Sequence, residues 1–157
     1  MSSKHDPESP LYCVDIPDSQ WERLHIEFLE PFDDKYWLVI IDAFSKWIEI
    51  EPVNSLNSEN VIRIIDSCFA RYGVAKTIVS DNGTCFTNED YRLLCKKLQI
   101  KAIHTTPYNC RSNGAAERVI GMFMSIYSAE RNSCEDKWEC LNKGLFCVLE
   151  FDPRFNK

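Results

Sequence analysis

The first third of the chain reads in strands. From Gln20, WERLHIEF sets Trp21, Leu24, Ile26 and Phe28 irregularly among polar residues and predicts a strand. Pro31-Phe32-Asp33-Asp34 reads as a turn. Tyr36-Trp37-Leu38-Val39-Ile40-Ile41 is a nearly continuous apolar run, the pattern of a central strand buried on both faces. After a tight turn at Ser45-Lys46, Trp47-Ile48-Glu49-Ile50-Glu51 alternates as a strand with one wet face does, and Pro52 is expected to stop it. Strands on connections this short form an antiparallel meander.

The period then changes. Between Ser58 and Tyr72, the residues Val61, Ile64, Ile65, Cys68 and Phe69 repeat at helical spacing. Asn57 or Ser58 would cap this helix and Gly73 would end it. A strand over 76–80 follows. Thr87-x-x-Asp90 resembles a capping box that opens a helix running to Leu98, with Tyr91, Leu94, Cys95 and Leu98 facing inward. Lys101–His104 is a short strand. A loop with Pro107 leads to a long helix over about 113–131, and a last helix spans about 136–150. A meander followed by alternating units predicts an α/β domain: a mixed sheet with helices on both faces. Sites in such sheets gather at strand ends near a switch in strand order.

Residues 1–18 are polar, hold Pro7, Pro10 and Pro17, and read as a flexible tail with Leu11 and Tyr12 as anchors; residues 19–157 form one domain. No apolar run approaches the roughly 20 residues of a membrane span, and the opening MSSKHDPESP lacks the apolar core of a signal peptide. The eight cysteines form no C-x-x-C pair, which argues against a zinc ribbon, and most lie in apolar periodic segments as small hydrophobes. They read as the reduced thiols of an intracellular protein. A net charge of −6 means that this segment alone would grip nucleic acid weakly.

The candidate chemistry lies in residues 77–118. The apolar Thr77-Ile78-Val79 ends in Ser80-Asp81-Asn82-Gly83, which places a carboxylate at a strand tip; Asn113-Gly114-Ala115-Ala116-Glu117-Arg118 places another early in a helix. Each half alone is ordinary, since S-D-N-G suits a turn and a glutamate suits a helix N-terminus. Thirty-five residues separate Asp81 from Glu117. Brought together, two such acids offer the oxygen donors that hard divalent cations take.

Four stretches, WERLHIEF (21–28), WLVIIDAFSKWIE (37–49), IVSDNGTCFT (78–87) and HTTPYNCRSNGAAER (104–118), resemble the catalytic core of retroviral and LTR-retrotransposon integrases, the gypsy-like branch above all. The likeness covers roughly residues 20–131. It implies a ribonuclease-H-like fold: a mixed five-stranded sheet, three strands as an antiparallel meander and two parallel, flanked by helices. It also implies DNA 3′-end processing and strand transfer by phosphoryl transfer with two Mg²⁺ or Mn²⁺ ions. The family's three acids map onto Glu27, Asp81 and Glu117 as catalytic and metal-binding residues. The first departs from the pattern, because W-x-x-x-H-I-D-F carries Asp where this chain has Glu27. Asn82, Tyr108, Arg111, Asn113 and Arg118 map onto nucleic-acid contacts. Cys110 and Arg111 stand where the family has Pro-Gln. Asp42 matches a common family aspartate and is expected to be structural, His104 a satisfied polar residue, and His25 a packed one.

The resemblance further implies DNA as partner, a homodimer through helix faces away from the acids, and a nuclear location. No membrane partner and no structural zinc are expected, because His5 and Cys13 cannot make the family's His-His-Cys-Cys domain. Without that domain and a basic C-terminal one, the chain reads as an excised core or a remnant, shortened at the C-terminal end. The alternative is a domesticated, catalytically silent domain serving as a nucleic-acid or protein interaction or dimerisation module. A different ribonuclease-H-like nuclease or a DNA transposase fits the 104–118 loop less well.

Overall fold

The structure is a computed structural model that describes residues 17–105 and 114–151. The expected tail and its anchors Leu11 and Tyr12 fall on residues 1–16 and lie outside the described residues, as do Pro107, Tyr108, Cys110, Arg111 and Asn113. Strands β1 (Arg23–Phe32), β2 (Lys35–Asp42) and β3 (Ile48–Val53) precede helix α1 (Ser58–Tyr72). Then come β4 (Thr77–Ser80), the short α2 (Thr84–Thr87), α3 (Glu89–Lys97), β5 (Lys101–His104), α4 (Gly114–Glu130) and α5 (Lys137–Phe151). One five-stranded sheet has the order β3-β2-β1-β4-β5. β1 pairs antiparallel with β2 and β2 with β3, whereas β4 runs parallel to β1, and β5 to β4. The chain leaves β1 toward one edge and returns to its other side, so the strand order switches between β1 and β4.

The hydrophobic pattern explains the layers. Leu24, Ile26, Leu38, Ile40 and Val53 bury one face of the sheet against Val61, Ile65 and Phe69 of α1 and Tyr91 and Cys95 of α3. Trp37, Val39, Ile41 and Ile50 bury the other against Val119, Phe123 and Tyr127 of α4 and Leu141 and Val148 of α5. β2 contributes to both layers, and its near-continuous apolar run is what two buried faces require. α5 approaches α4 closely at Gly144, where a Cβ would lie 3.1 Å from the Phe123 ring.

Three local expectations are corrected. Pro52 does not stop β3; it pairs opposite Trp37. β3 is an edge strand, and a proline whose missing N–H would face outward removes no ladder bond. The turn expected at 31–34 shrinks to Asp33-Asp34, with φ of 54° and 56°, the left-handed pair of a two-residue hairpin. Pro31 instead sits in the register shift between Leu29 and Phe32. The α3 cap is Asn88 rather than Thr87: Asn88 Oδ1 accepts the Tyr91 N–H at 3.0 Å, and Thr87 ends the unforeseen α2. For α1 the choice falls on Asn57, whose Oδ1 accepts the Asn60 N–H at 2.8 Å.

Candidate active site

Parallel pairing brings remote residues level. β1 and β4 are in register at Arg23 with Thr77, Leu24 with Ile78 and His25 with Val79. Two residues beyond His25 and Val79 come Glu27 and Asp81. Strand alternation puts Glu27 on the face of His25. Across β2 it pairs with Val39, which lies under α4. Asp81 is one residue past the end of β4, on the rim of that face, beside the switch in strand order. Glu117 is in the first turn of α4, two residues before the buried Val119 that seats the helix on the sheet. Local patterning therefore seats each acid on its own element, and strand register and helix docking turn all of them toward one corner.

Electrostatics show the convergence. The Glu27 carboxyl is half-buried and its pKa is raised, first by desolvation and then by the negative charges of Glu117 and Asp81. Asp81 and Glu117 are exposed. Asp81 Oδ1 accepts the Gly83 N–H at 2.8 Å, an Asx turn of the kind Asp-x-Gly favours. A Cβ at residue 83 would stand 2.9 Å from Asp81 Oδ1, so a larger residue there would displace the carboxylate from this turn. Among the described residues, no three His, Cys, Asp or Glu side chains gather tightly enough to hold one ion. The acids are near enough for Glu117 and Asp81 to raise the Glu27 pKa without forming such a cluster.

Of the DNA-contact residues expected from the sequence, Asn82 is exposed in the turn after β4, and Arg118 is exposed on α4 next to Glu117; Tyr108, Arg111 and Asn113 lie outside the described residues. Asp42 is 1% exposed and away from the acids. Its Oδ1 accepts the Trp21 N–H at 3.0 Å, and its Oδ2 accepts the Ser45 N–H at 3.0 Å and the Ser45 hydroxyl at 2.5 Å. It therefore closes the β2–β3 turn. His25 is packed, and its pKa is lowered by burial and by Arg23 and Lys46. His104 Nδ1 lies 3.2 Å from Ser80 Oγ and 3.2 Å from the Asp81 carbonyl oxygen. Sequence reasoning read Gly83 only as part of a turn and passed over the Ser80–His104 contact. The glycine two residues after Asp81 was the visible signal for the first; nothing local marked the second, which spans two strands.

The family model described as "Integrase core domain" matches residues 16–110, more than half of the chain. The chain belongs to the integrase core domain family. Its relatives include an uncharacterized Caenorhabditis elegans protein, 34% identical over 144 residues, 92% of this chain and 11% of that one. The Gag-Pro-Pol polyprotein of squirrel monkey retrovirus is 34% identical over 104 residues, 66% of this chain and 6% of the polyprotein. The Pol polyprotein of transposon 412 from Drosophila melanogaster is 26% identical over 92% of this chain and 13% of that protein. This integrase core thus spans a small part of the length of the curated relatives it matches.

Among solved structures, the catalytic core domain of BIV integrase superposes with a TM-score of 0.70 at 23% identity, covering 85% of this chain and 84% of that one. The HTLV-2 integrase catalytic core in complex with magnesium gives 0.68 at 16% identity, covering 84% and 87%. At these identities the likeness is one of fold: this is the ribonuclease-H-like mixed sheet of integrase cores. Among the described residues, no helix is long and apolar enough to cross a membrane.

Proposed function

We propose that this domain carries out integrase-type DNA 3′-end processing and strand transfer, with Glu27, Asp81 and Glu117 as its acids. The supporting observation is the pKa of Glu27, raised by burial and by the charges of both other acids. Uncompensated carboxylates held this close repel one another, and cations relieve that repulsion. The donors suit Mg²⁺ or Mn²⁺, being oxygen only and of mixed exposure. Glu27, Asp81 and Glu117 are the residues that would hold the ions. When bound, such ions supply charge stabilisation at the attacking and leaving oxygens of phosphoryl transfer.

The chain's own residues do the rest. Asp81 is held by the Gly83 amide before any cation arrives. Glu27, mid-strand and half-buried, is the rigid member of the set. Asn82 and Arg118 flank the acids and would meet the DNA end, the arginine through its phosphates. Tyr108, Arg111 and Asn113 are proposed to join them from the segment between β5 and α4.

DNA binding by this domain alone is weak on this reading, given the net charge of −6. A second copy of the chain is the other proposed partner: Trp138 is 55% and Phe146 62% exposed on α5, on the side of the helix left uncovered by the core.

One feature favours a second reading, a silent domain kept for interaction. Glu27 is one methylene longer than the family's aspartate, and Mg²⁺ tolerates misplaced oxygens poorly. The deciding assay is Mn²⁺-dependent strand transfer and disintegration on a branched DNA. Activity in the parent that Asp81→Asn abolishes supports the enzyme. Activity seen only after Glu27→Asp establishes the silent domain.

A further inference from the structure

We propose that His104 is a positioning residue: its ring, with a proton on Nδ1, holds the Asp81 backbone and so steadies the Asp81 carboxylate. This rests on the reading of Asp81 as a cation ligand. Asp81 needs such support because it lies past the end of β4, where no ladder bond restrains it. Its carboxylate is set by the Gly83 amide, and that Asx turn in turn needs the Asp81 carbonyl to keep its direction.

The tip of β5 supplies the restraint. His104 is in register with Ser80 through the parallel ladder. The Thr105 N–H donates to the Ser80 carbonyl at 2.8 Å. The Ser80 hydroxyl donates to the Asp81 carbonyl at 3.1 Å, and His104 Nδ1 sits 3.2 Å from that same oxygen.

The tautomer follows from where the Ser80 proton goes: Ser80 Oγ lies 3.2 Å from Nδ1 and 3.1 Å from the Asp81 carbonyl oxygen, and with its hydroxyl donating to that carbonyl, Nδ1 is left to donate as well. A bare Nδ1 would aim its lone pair at the Asp81 carbonyl oxygen, an acceptor-to-acceptor clash. A protonated Nδ1 donates to that oxygen and leaves the Ser80 hydroxyl free to do the same. Core packing does not explain the placement, since His104 is exposed on an edge strand.

The test uses the whole chain with ¹⁵N-labelled histidine at mildly alkaline pH, without metal and then with Mn²⁺ alone. The Nδ1–H tautomer is expected at His104. His104→Phe is expected to speed exchange of the Gly83 amide and to weaken Mn²⁺ binding, each about three- to tenfold, the range of one modest hydrogen bond. His104→Asn is expected to restore both, because its Nδ2 occupies the place of Nδ1–H. An Nε2–H tautomer, unchanged Gly83 exchange in His104→Phe, or faster exchange with unaltered Mn²⁺ affinity would overturn the proposal. If the parent binds no Mn²⁺, the proposed role of Asp81 at a cation site falls with the metal reading, whereas the tautomer and the exchange rates still decide whether His104 holds the Asp81 turn.

Discussion

Asp42→Ala separates a structural aspartate from a functional one. The Asp42 carboxylate is 1% exposed and accepts from the Trp21 N–H, the Ser45 N–H and the Ser45 hydroxyl. A hydrogen bond to an ionised acceptor contributes roughly 1.5–3 kcal/mol, and a donor left unpaired and buried costs about 1–3 kcal/mol. Trp21 and Ser45 are only half-buried, so water recovers part of the loss. The net destabilisation expected for Asp42→Ala is about 3 kcal/mol. For a chain of this size that lowers Tm by roughly 6–12 °C. Asp81→Asn is the control. Asp81 is exposed, and an asparagine Oδ1 still accepts the Gly83 N–H, so stability should change by less than about 0.5 kcal/mol. The assay is thermal melting of both variants with and without Mn²⁺. Asp42→Ala should melt early and keep any Mn²⁺-induced gain, whereas Asp81→Asn should melt like the parent and lose that gain. The opposite pattern, or an Asp42→Ala melting point within about 2 °C of the parent, would refute the assignment of the two aspartates.

Glu27→Gln should stabilise the metal-free protein at neutral pH. The folded pKa of Glu27 is raised by burial, Glu117 and Asp81, so its folded form is most stable below the ordinary carboxylate range and loses that stability as pH rises through the raised pKa. The gain in urea midpoint for the variant should therefore shrink and vanish on acidification. Gly144→Val should cost about 1–3 kcal/mol by overpacking, since a Cβ there already meets Phe123 at 3.1 Å, and Gly144→Ala less; urea unfolding reads both. Phe146→Lys should weaken self-association about tenfold or more by sedimentation velocity, the effect of denying one large side chain its burial, without lowering Tm.

Much of the fold was legible because it is written in short-range chemistry. The apolar run of β2 and the spacing in α1 report burial through a period of two or 3.6 residues, a property of the backbone itself. Asn57 and Gly73 bound α1 by hydrogen bonds to residues within one turn. The misreadings came where a neighbouring element decided the outcome. Pro52 was tolerated because β3 became an edge strand, and no local pattern states which strand will be outermost. Thr87 gave way to Asn88 because Thr87 is the last residue of α2, which leaves Asn88 at the start of α3.

The sequence by itself determined which residues are carboxylates, that Asp81 follows a strand and Glu117 begins a helix, and that Glu27 stands where an aspartate was expected. Tertiary structure alone decided that Glu27 and Asp81 come near each other, because each lies two residues beyond the parallel pair His25 and Val79, on strands from distant parts of the chain. It also decided that Glu27 is half-buried and feels the charges of both other acids, while Asp42, also a carboxylate, is turned into a scaffold. Residue type sets what a group can do; the dielectric and the company it keeps, which only folding supplies, set its charge and its role.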